Sequence, residues 1–187
     1  MISSTLNKLF ALILLIILLL PFVIIAIIIL LDSNGPAIIW SRRIGYKSSE
    51  FKMPKFRTML VDTPQVATHL LSEPDTYVTR FGKFLRKTSI DELPQIISIL
   101  KGDMNFIGPR PALFNQYDLI DLRKELHIDE SLPGITGWAQ VNGRDNTTIK
   151  DKIELDNFYI KNRGIKLNVK IVFMTLSSIF ELKNVRH

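Results

Sequence analysis

The chain has 187 residues, 24 Lys and Arg against 18 Asp and Glu, a net charge of +6 and no cysteine. This excludes disulfides and thiolate metal sites, and the length suits one domain with at most an appendage. The positive balance does not make a nucleic-acid binder, because the basic residues are dispersed and match no nucleic-acid motif; next to a membrane segment they meet anionic headgroups, and they suit anionic phosphate substrates equally well.

Residues 10–31 carry neither a charge nor a hydrogen-bonding side chain. At about 1.5 Å per residue such a helix is roughly 33 Å long, close to the ~30 Å hydrocarbon core of a bilayer. It has no polar stripe of the kind a surface helix shows. A cleaved signal peptide would be shorter in its apolar part and would end at a small-residue site, which Leu30-Leu31-Asp32-Ser33 does not offer. Pro21 in the middle removes a backbone donor and predicts a kink. Two topologies follow: a kinked helix that crosses the bilayer, or a re-entrant one that returns to the face it entered. Lys8 stands alone before the segment, whereas Arg42, Arg43, Lys47, Lys52, Lys55 and Arg57 follow it, which places the bulk of the chain on the cytoplasmic side.

After a turn at 32–36, residues 37–41 and 51–59 read as two short strands of a hairpin at the membrane surface. Residues 61–79, with Pro64 and Pro74, read as helix or loop. Helices are expected at 81–87, 89–100, 112–126 and 148–161, with a Gly- and Pro-rich loop at 102–111 and turns at 133–143. A last, strongly apolar helix at 169–182 is either a packed core helix or one lying in the membrane interface. The fold class is therefore α+β and mainly helical, with a membrane-embedded segment at 1–31 and a small membrane-apposed domain at 32–187.

The chemistry concentrates in Arg86-Lys87-Thr88-Ser89-Ile90-Asp91-Glu92-Leu93-Pro94. Ser89 and Glu92 fit a capping box, the bland reading of the pair. Pro94 weakens it, because a helix starting nearer Pro94 releases Glu92 from capping. In either register Asp91 and Glu92 lie near a helix N-terminus, which together with Arg86 and Lys87 favours an ionised Asp91 suited to nucleophilic attack. Adjacent carboxylates can divide labour, one attacking phosphorus and the other holding Mg²⁺. Gly108-Pro109-Arg110-Pro111 sets Arg110 on a stiff platform suited to bidentate phosphate binding, the plain alternative being a tight loop with an exposed Arg. Lys55 and Arg57 fall on one face of an extended segment, either as phosphate contacts or as edge-strand protection. Arg144 is a third cationic contact or a loop tip. His69, His127 and His187 lack metal-ligand spacing, and there is no G-x-G-x-x-G, Walker loop or G-x-S-x-G.

Taken in order, the Pro-broken apolar segment, Lys55-Phe56-Arg57-Thr58-Met59, Thr88-Ser89-Ile90-Asp91-Glu92-Leu93-Pro94-Gln95, Leu100-Lys101-Gly102-Asp103-Met104, Gly108-Pro109-Arg110-Pro111 and Pro133-Gly134-Ile135-Thr136-Gly137-Trp138-Ala139-Gln140-Val141-Asn142-Gly143-Arg144 resemble the bacterial sugar transferase family, the small monotopic phosphoglycosyl transferases. The resemblance implies transfer of a sugar 1-phosphate, the sugar expected to be an N-acetylated amino sugar, from a UDP-sugar to polyprenol phosphate at the cytoplasmic face of the bacterial inner membrane. UMP leaves, and the lipid-linked product begins a surface glycan that downstream glycosyltransferases extend. It implies Asp91 as nucleophile, an aspartyl phosphosugar intermediate, Glu92 as Mg²⁺ ligand, phosphate or nucleotide contacts from Lys55, Arg57 and Arg110, and Asp156 as an acidic site residue. It also favours the re-entrant hairpin. Leu20 stands where many relatives have Ser before the helix-breaking Pro, and Asn168 where relatives often have Asp.

Overall fold

The computed structural model describes residues 4–64, 74–143 and 148–184. Its helices are α1 (Ser4–Asp32), α2 (Pro74–Tyr77), α3 (Arg80–Thr88), α4 (Ile96–Lys101), α5 (Tyr117–Glu125), α6 (Trp138–Gly143), α7 (Ile149–Asn162) and α8 (Ile165–Asn184), and its strands are β1 (Ile38–Ile44), β2 (Glu50–Phe56), β3 (Asn105–Ile107), β4 (Ala112–Leu113) and β5 (Gly134–Thr136). The result is the mainly helical α+β arrangement expected.

Helix α1 runs through Pro21. The helix continues through the expected kink, because a proline removes only one bond, to the carbonyl of Ile17, and packing holds both sides of it. Ala11, Leu14, Leu15 and Leu18 sit with Met53, Ile96, Ile99 and Met104. Beyond Pro21, Phe22, Ile25, Ala26 and Ile29 sit with Phe56 and Leu85. These positions recur at steps of three and four residues, a narrow seam on one side of the helix. The remaining faces, among them Ile16, Ile17, Leu20, Val23, Ile27 and Leu31, are exposed apolar surface. α1 is long and apolar enough to cross a membrane.

Both ends of α1 are also fastened to the domain. Asn7 donates to the Asn105 side chain at 3.0 Å, and Asp32 accepts from the Phe81 backbone N–H at 3.0 Å, capping α3 from outside. The two anchors lie about 37 Å apart along the helix axis.

The hairpin β1–β2 forms as expected, with β1 running on to Ile44, β2 ending at Phe56, Ile39 opposite Lys55 and Arg43 opposite Phe51. β4 adds to the other edge of β1, giving the order β2-β1-β4, while β3 and β5 pair in parallel. Four expectations need correction here, the first being the turns at 133–143, which fold as β5 and α6. The 102–111 loop contains β3, and residues 112–113 begin as a strand before α5, because each edge finds a ladder partner elsewhere in the chain. The expected 89–100 helix divides into a 3₁₀ turn, Ile90–Gln95, and α4, since Pro94 cannot donate to the first turn. Of residues 61–79, the described ones include the short α2, and the remainder of that reading falls outside the described residues. α7 begins as expected at Thr148, whose side chain and that of Asp151 form a reciprocal capping box. α8 buries Ile171 but exposes Ile165, Val169, Val172, Phe173 and Leu176 along one side, so it is a half-packed helix with an apolar outer face.

Candidate active site

The site begins at the end of α3. Ser89 adopts a left-handed conformation, φ 56° and ψ 17°, and its backbone N–H closes the last turn of α3 without any side-chain cap to the next element. The capping box therefore does not form, and of the two registers read from the sequence the structure adopts the one that frees Glu92. The chain turns sharply at Ser89 and presents Asp91 and Glu92 in a 3₁₀ turn packed against β2.

Glu92 is gripped from two sides. Arg110 Nη2 donates to Oε1 at 2.6 Å and Nη1 to Oε2 at 3.2 Å, while Lys55 Nζ reaches Oε1 at 3.0 Å. Lys55 Nζ also stands 3.8 Å from Asp91 Oδ2. Burial alone would raise the Glu92 carboxyl, but Arg110 and Lys55 outweigh it and hold the group well below the usual carboxylate range. Asp91 goes the other way. It is 8% exposed. Burial pushes its carboxyl up, Lys55 opposes, and the Glu92 charge adds to the rise, with Arg110 and Arg86 pulling down from farther off. The expected depression by a helix N-terminus does not prevail, because α4 is only a short helix and the carboxyl is largely desolvated. The pair is thus split into a firmly ionised Glu92 and an Asp91 whose charge is destabilised by burial, the asymmetry that gives adjacent carboxylates different tasks.

Arg110 is aimed by an unusual loop. Pro109 and Pro111 have no N–H, so the loop joins no regular ladder, yet the carbonyls of Pro109, Arg110 and Pro111 are all claimed. The Gly134 N–H donates to Pro109 O at 3.0 Å. Arg123 Nη1 donates to Arg110 O at 2.8 Å, and Arg43 Nη1 to Pro111 O at 3.2 Å. Gly108 lies so close to β5 that a Cβ on Gly134 or Gly137 would collide with its backbone. This close approach holds the loop rigid.

Arg57 does not join this cluster. Its Nε donates to Pro36 O at 2.8 Å, Nη2 to Ser33 O at 2.7 Å and Gly35 O at 3.1 Å, and Nη1 to Asn34 O. It gathers the carbonyls of the turn that leaves α1, and a phosphate contact would require it to abandon them. Alternation does place Lys55 and Arg57 on one face, but one side chain enters the site and the other ties off the end of α1. Arg86 reaches Asp91 through its charge. Arg144 lies outside the described residues.

Asp156, on α7, is buried and pairs with Arg123 of α5 at 2.6 Å through Nη2 and 3.2 Å through Nε. Burial raises its carboxyl while Arg123 opposes. It acts on the site through Arg123, which holds the backbone of Arg110. Arg123 and Arg43 join the site without a motif in the sequence to mark them. The signal for Arg123 was available: it falls on the same helical face as Leu119 and Ile120, where a charge has to have a buried partner.

Mg²⁺ takes one or two carboxylates and completes its shell with water and phosphate oxygens. Glu92 is the carboxylate of this kind here, ionised and held by Arg110 and Lys55, and no group of three His, Cys, Asp or Glu gathers among the described residues. Of Glu92's two partners Arg110 is the more exposed, so an oxygen donor to a hard cation fits at Glu92 on the side of Arg110.

The family model for bacterial sugar transferases matches residues 1–182. A UDP-N-acetylgalactosamine-undecaprenyl-phosphate N-acetylgalactosaminephosphotransferase of Aeromonas hydrophila is 40% identical over 159 residues, which cover 82% of this chain and 38% of the relative. A UDP-glucose:undecaprenyl-phosphate glucose-1-phosphate transferase of Xanthomonas campestris pv. campestris is 40% identical over 179 residues, 90% of this chain and 37% of the relative. The exopolysaccharide production protein ExoY of Sinorhizobium fredii is 32% identical over 192 residues, 95% of this chain and 84% of the relative. The chain thus spans little more than a third of the first two relatives and most of the third.

Proposed function

Because the chain belongs to the bacterial sugar transferase family, we propose that it transfers a sugar 1-phosphate from a UDP-sugar to polyprenol phosphate. UMP and a polyprenol diphosphate sugar are the products. The observation that carries this reading is the asymmetric carboxylate pair, Asp91 beside a Glu92 held by Lys55 and Arg110. Cations of this kind receive phosphate oxygens, and a partly desolvated carboxylate is a stronger nucleophile than a solvated one.

An Asp91 carboxylate oxygen attacks the sugar-bearing phosphorus. A bond from Asp91 to phosphorus forms, the phosphorus–oxygen bond to UMP breaks, and the bridging oxygen leaves with UMP. An oxygen of the polyprenol phosphate then attacks the same phosphorus, which forms the diphosphate and returns Asp91 to its carboxylate. Lys55 and Arg110 neutralise charge that builds on the phosphoryl oxygens. Glu92 would hold Mg²⁺, which when bound offsets the charge of the diphosphate. The expected donor carries an N-acetylated amino sugar, which the name of the Aeromonas relative favours, while that of the Xanthomonas relative keeps glucose in the test panel.

The membrane arrangement belongs to the same proposal. A helix crossing the bilayer upright holds one end about 30 Å away from a domain on the other face. α1 instead meets the domain at Asn7 and at Asp32. That supports a re-entrant segment with both ends at the cytoplasmic face of the inner membrane, where polyprenol phosphate has a short path to Asp91. The lipid-linked product is a substrate for further glycosyltransferases.

Two experiments test these claims. Purified protein with polyprenol phosphate, Mg²⁺ and a panel of UDP-sugars releases UMP, and Asp91→Asn abolishes release; full activity in that variant removes Asp91 as nucleophile. Cysteines introduced near residue 3 and near residue 50, in a chain with no native cysteine, label from the same face. Labelling from opposite faces rules out the re-entrant segment.

A further inference from the structure

Arg43 is a third cation at this site, and it has no carboxylate of its own. It lies on β1, between its ladder partners Phe51 and Leu113, and is half-buried. Its Nε donates to Ser41 Oγ at 3.1 Å and its Nη1 to Pro111 O at 3.2 Å. A guanidinium carries five N–H groups, so most of its donors remain after these two bonds. Among the described residues no carboxylate lies within ion-pair distance of it.

Its surroundings are those of the dyad. Burial lowers Arg43 to about 10, the Arg110 charge pushes the same way, and Glu92 opposes, so Arg43 stays a cation at neutral pH. Lys55 in turn feels Arg43 among its neighbouring charges. Arg43, Lys55 and Arg110 therefore crowd around two carboxylates, and both oxygens of Glu92 are already taken by the other two cations. A desolvated cation without a counter-ion is costly unless an anion arrives. The Ser41 and Pro111 bonds fix the guanidinium plane in advance, and such a plane binds phosphate through parallel hydrogen bonds.

We propose that Arg43 binds a phosphoryl group of the substrate beside the one received by Lys55 and Arg110, so that the three form a cradle for a diphosphate. The proposal rests on the transferase reading and adds a residue to it. The phosphoryl group comes either from the sugar nucleotide or from the lipid phosphate, and kinetics separate the two.

Arg43→Gln and Arg43→Lys are compared with the wild type, full-length and in lipid nanodiscs. UMP release is measured with UDP-N-acetylgalactosamine or UDP-glucose varied at saturating undecaprenyl phosphate, and then the reverse. UMP inhibition, thermal unfolding and a calorimetric titration with inorganic pyrophosphate complete the set. Loss of a charge-assisted contact predicts about a tenfold or larger rise in one KM and in the pyrophosphate dissociation constant for Arg43→Gln. Arg43→Lys recovers part of the loss, and the unfolding temperature changes little. A joint rise in the donor KM and the UMP inhibition constant assigns the group to the sugar nucleotide; a rise in the undecaprenyl phosphate KM alone assigns it to the lipid. If both KM values and the pyrophosphate affinity stay within twofold of the wild type, Arg43 only braces Pro111 and the proposal is overturned, whatever happens to kcat. A wild type that releases UMP from no UDP-sugar sinks the transferase reading instead, and the pyrophosphate titration still decides Arg43.

Discussion

Replacing Asp156 with alanine strikes the site from a distance. Asp156 is 1% exposed, and its carboxylate meets Arg123 at 2.6 Å. Burial raises the Asp156 carboxyl and Arg123 opposes, so the intact pair adds little net stability. The orphaned half is what costs: removing one partner of a buried pair leaves an uncompensated charge worth about 3–5 kcal/mol. For a chain of this size each kcal/mol lowers the unfolding temperature by roughly 2–4 °C, so a fall of about 6–20 °C is expected. Arg123 also loses its orientation, and with it the bond to Arg110 O that steadies the Glu92 clamp. Activity should fall even at temperatures where the variant is folded. Thermal unfolding in nanodiscs and UMP release are the two readouts. The double variant Arg123→Met, Asp156→Leu removes both charges and should recover much of the stability while activity stays low. An Asp156→Ala variant that unfolds within 2 °C of the wild type, or a double variant no more stable than Asp156→Ala, refutes the reasoning.

Asp91→Asn should abolish UMP release and yet unfold at the same or a higher temperature at pH 7. Its folded pKa is raised by burial, so the stability its neutral form contributes is fully present below the ordinary value of about 3.9 and is lost as pH rises through the folded pKa; asparagine removes that loss. A clearly lower unfolding temperature contradicts this. The same shift places the acidic limb of the kcat/KM profile above pH ~4, and a limb at or below that pH argues against Asp91 as the titrating nucleophile. Arg57→Ala strips the donor from four backbone carbonyls at the end of α1 and should cost about 3 kcal/mol or more; Arg57→Lys should not restore it, because one ammonium cannot match the planar fork. Wild-type unfolding of Arg57→Ala would show that these bonds do not hold α1. Phe173 is 71% exposed on the apolar side of α8; in Phe173→Trp the added emission should be quenched by brominated lipids, and unquenched emission puts this helix in water.

What the sequence revealed and what it hid follow from the kind of signal each feature leaves. The reach of α1 was plain from its apolar run, but its buried seam was not. Where every side chain is apolar, Ala11 and Ile29 on the packed face look like Leu12 and Ile28 on the exposed one. Asp91, Glu92, Lys55 and Arg110 were all identified, because Pro94 and the Pro-Arg-Pro loop mark unusual backbone around charged groups. The wiring among them was hidden, since Lys55 and Glu92 meet only through the packing of β2 on the 3₁₀ turn. The acceptors of Arg57 are backbone carbonyls, which leave no residue signature, so its sequence context points to phosphate instead. Asn168, where relatives often have an acid, accepts from the Tyr159 hydroxyl at 3.2 Å, a contact that needs no carboxylate. β4 is indistinguishable from the start of α5 in the sequence, because two strand residues carry too little period to be seen.

The central claim is that Asp91 carries the phosphosugar between donor and lipid. Its most direct test withholds the acceptor. Protein incubated with Mg²⁺ and a turned-over UDP-sugar, without polyprenol phosphate, is quenched, digested and examined by mass spectrometry. The account predicts one burst equivalent of UMP and a phosphosugar adduct on the peptide containing Asp91, lost on addition of polyprenol phosphate and absent from Asp91→Asn. UMP formed only when both substrates are present, with no adduct at any time, would contradict it and leave direct transfer from donor to lipid in its place.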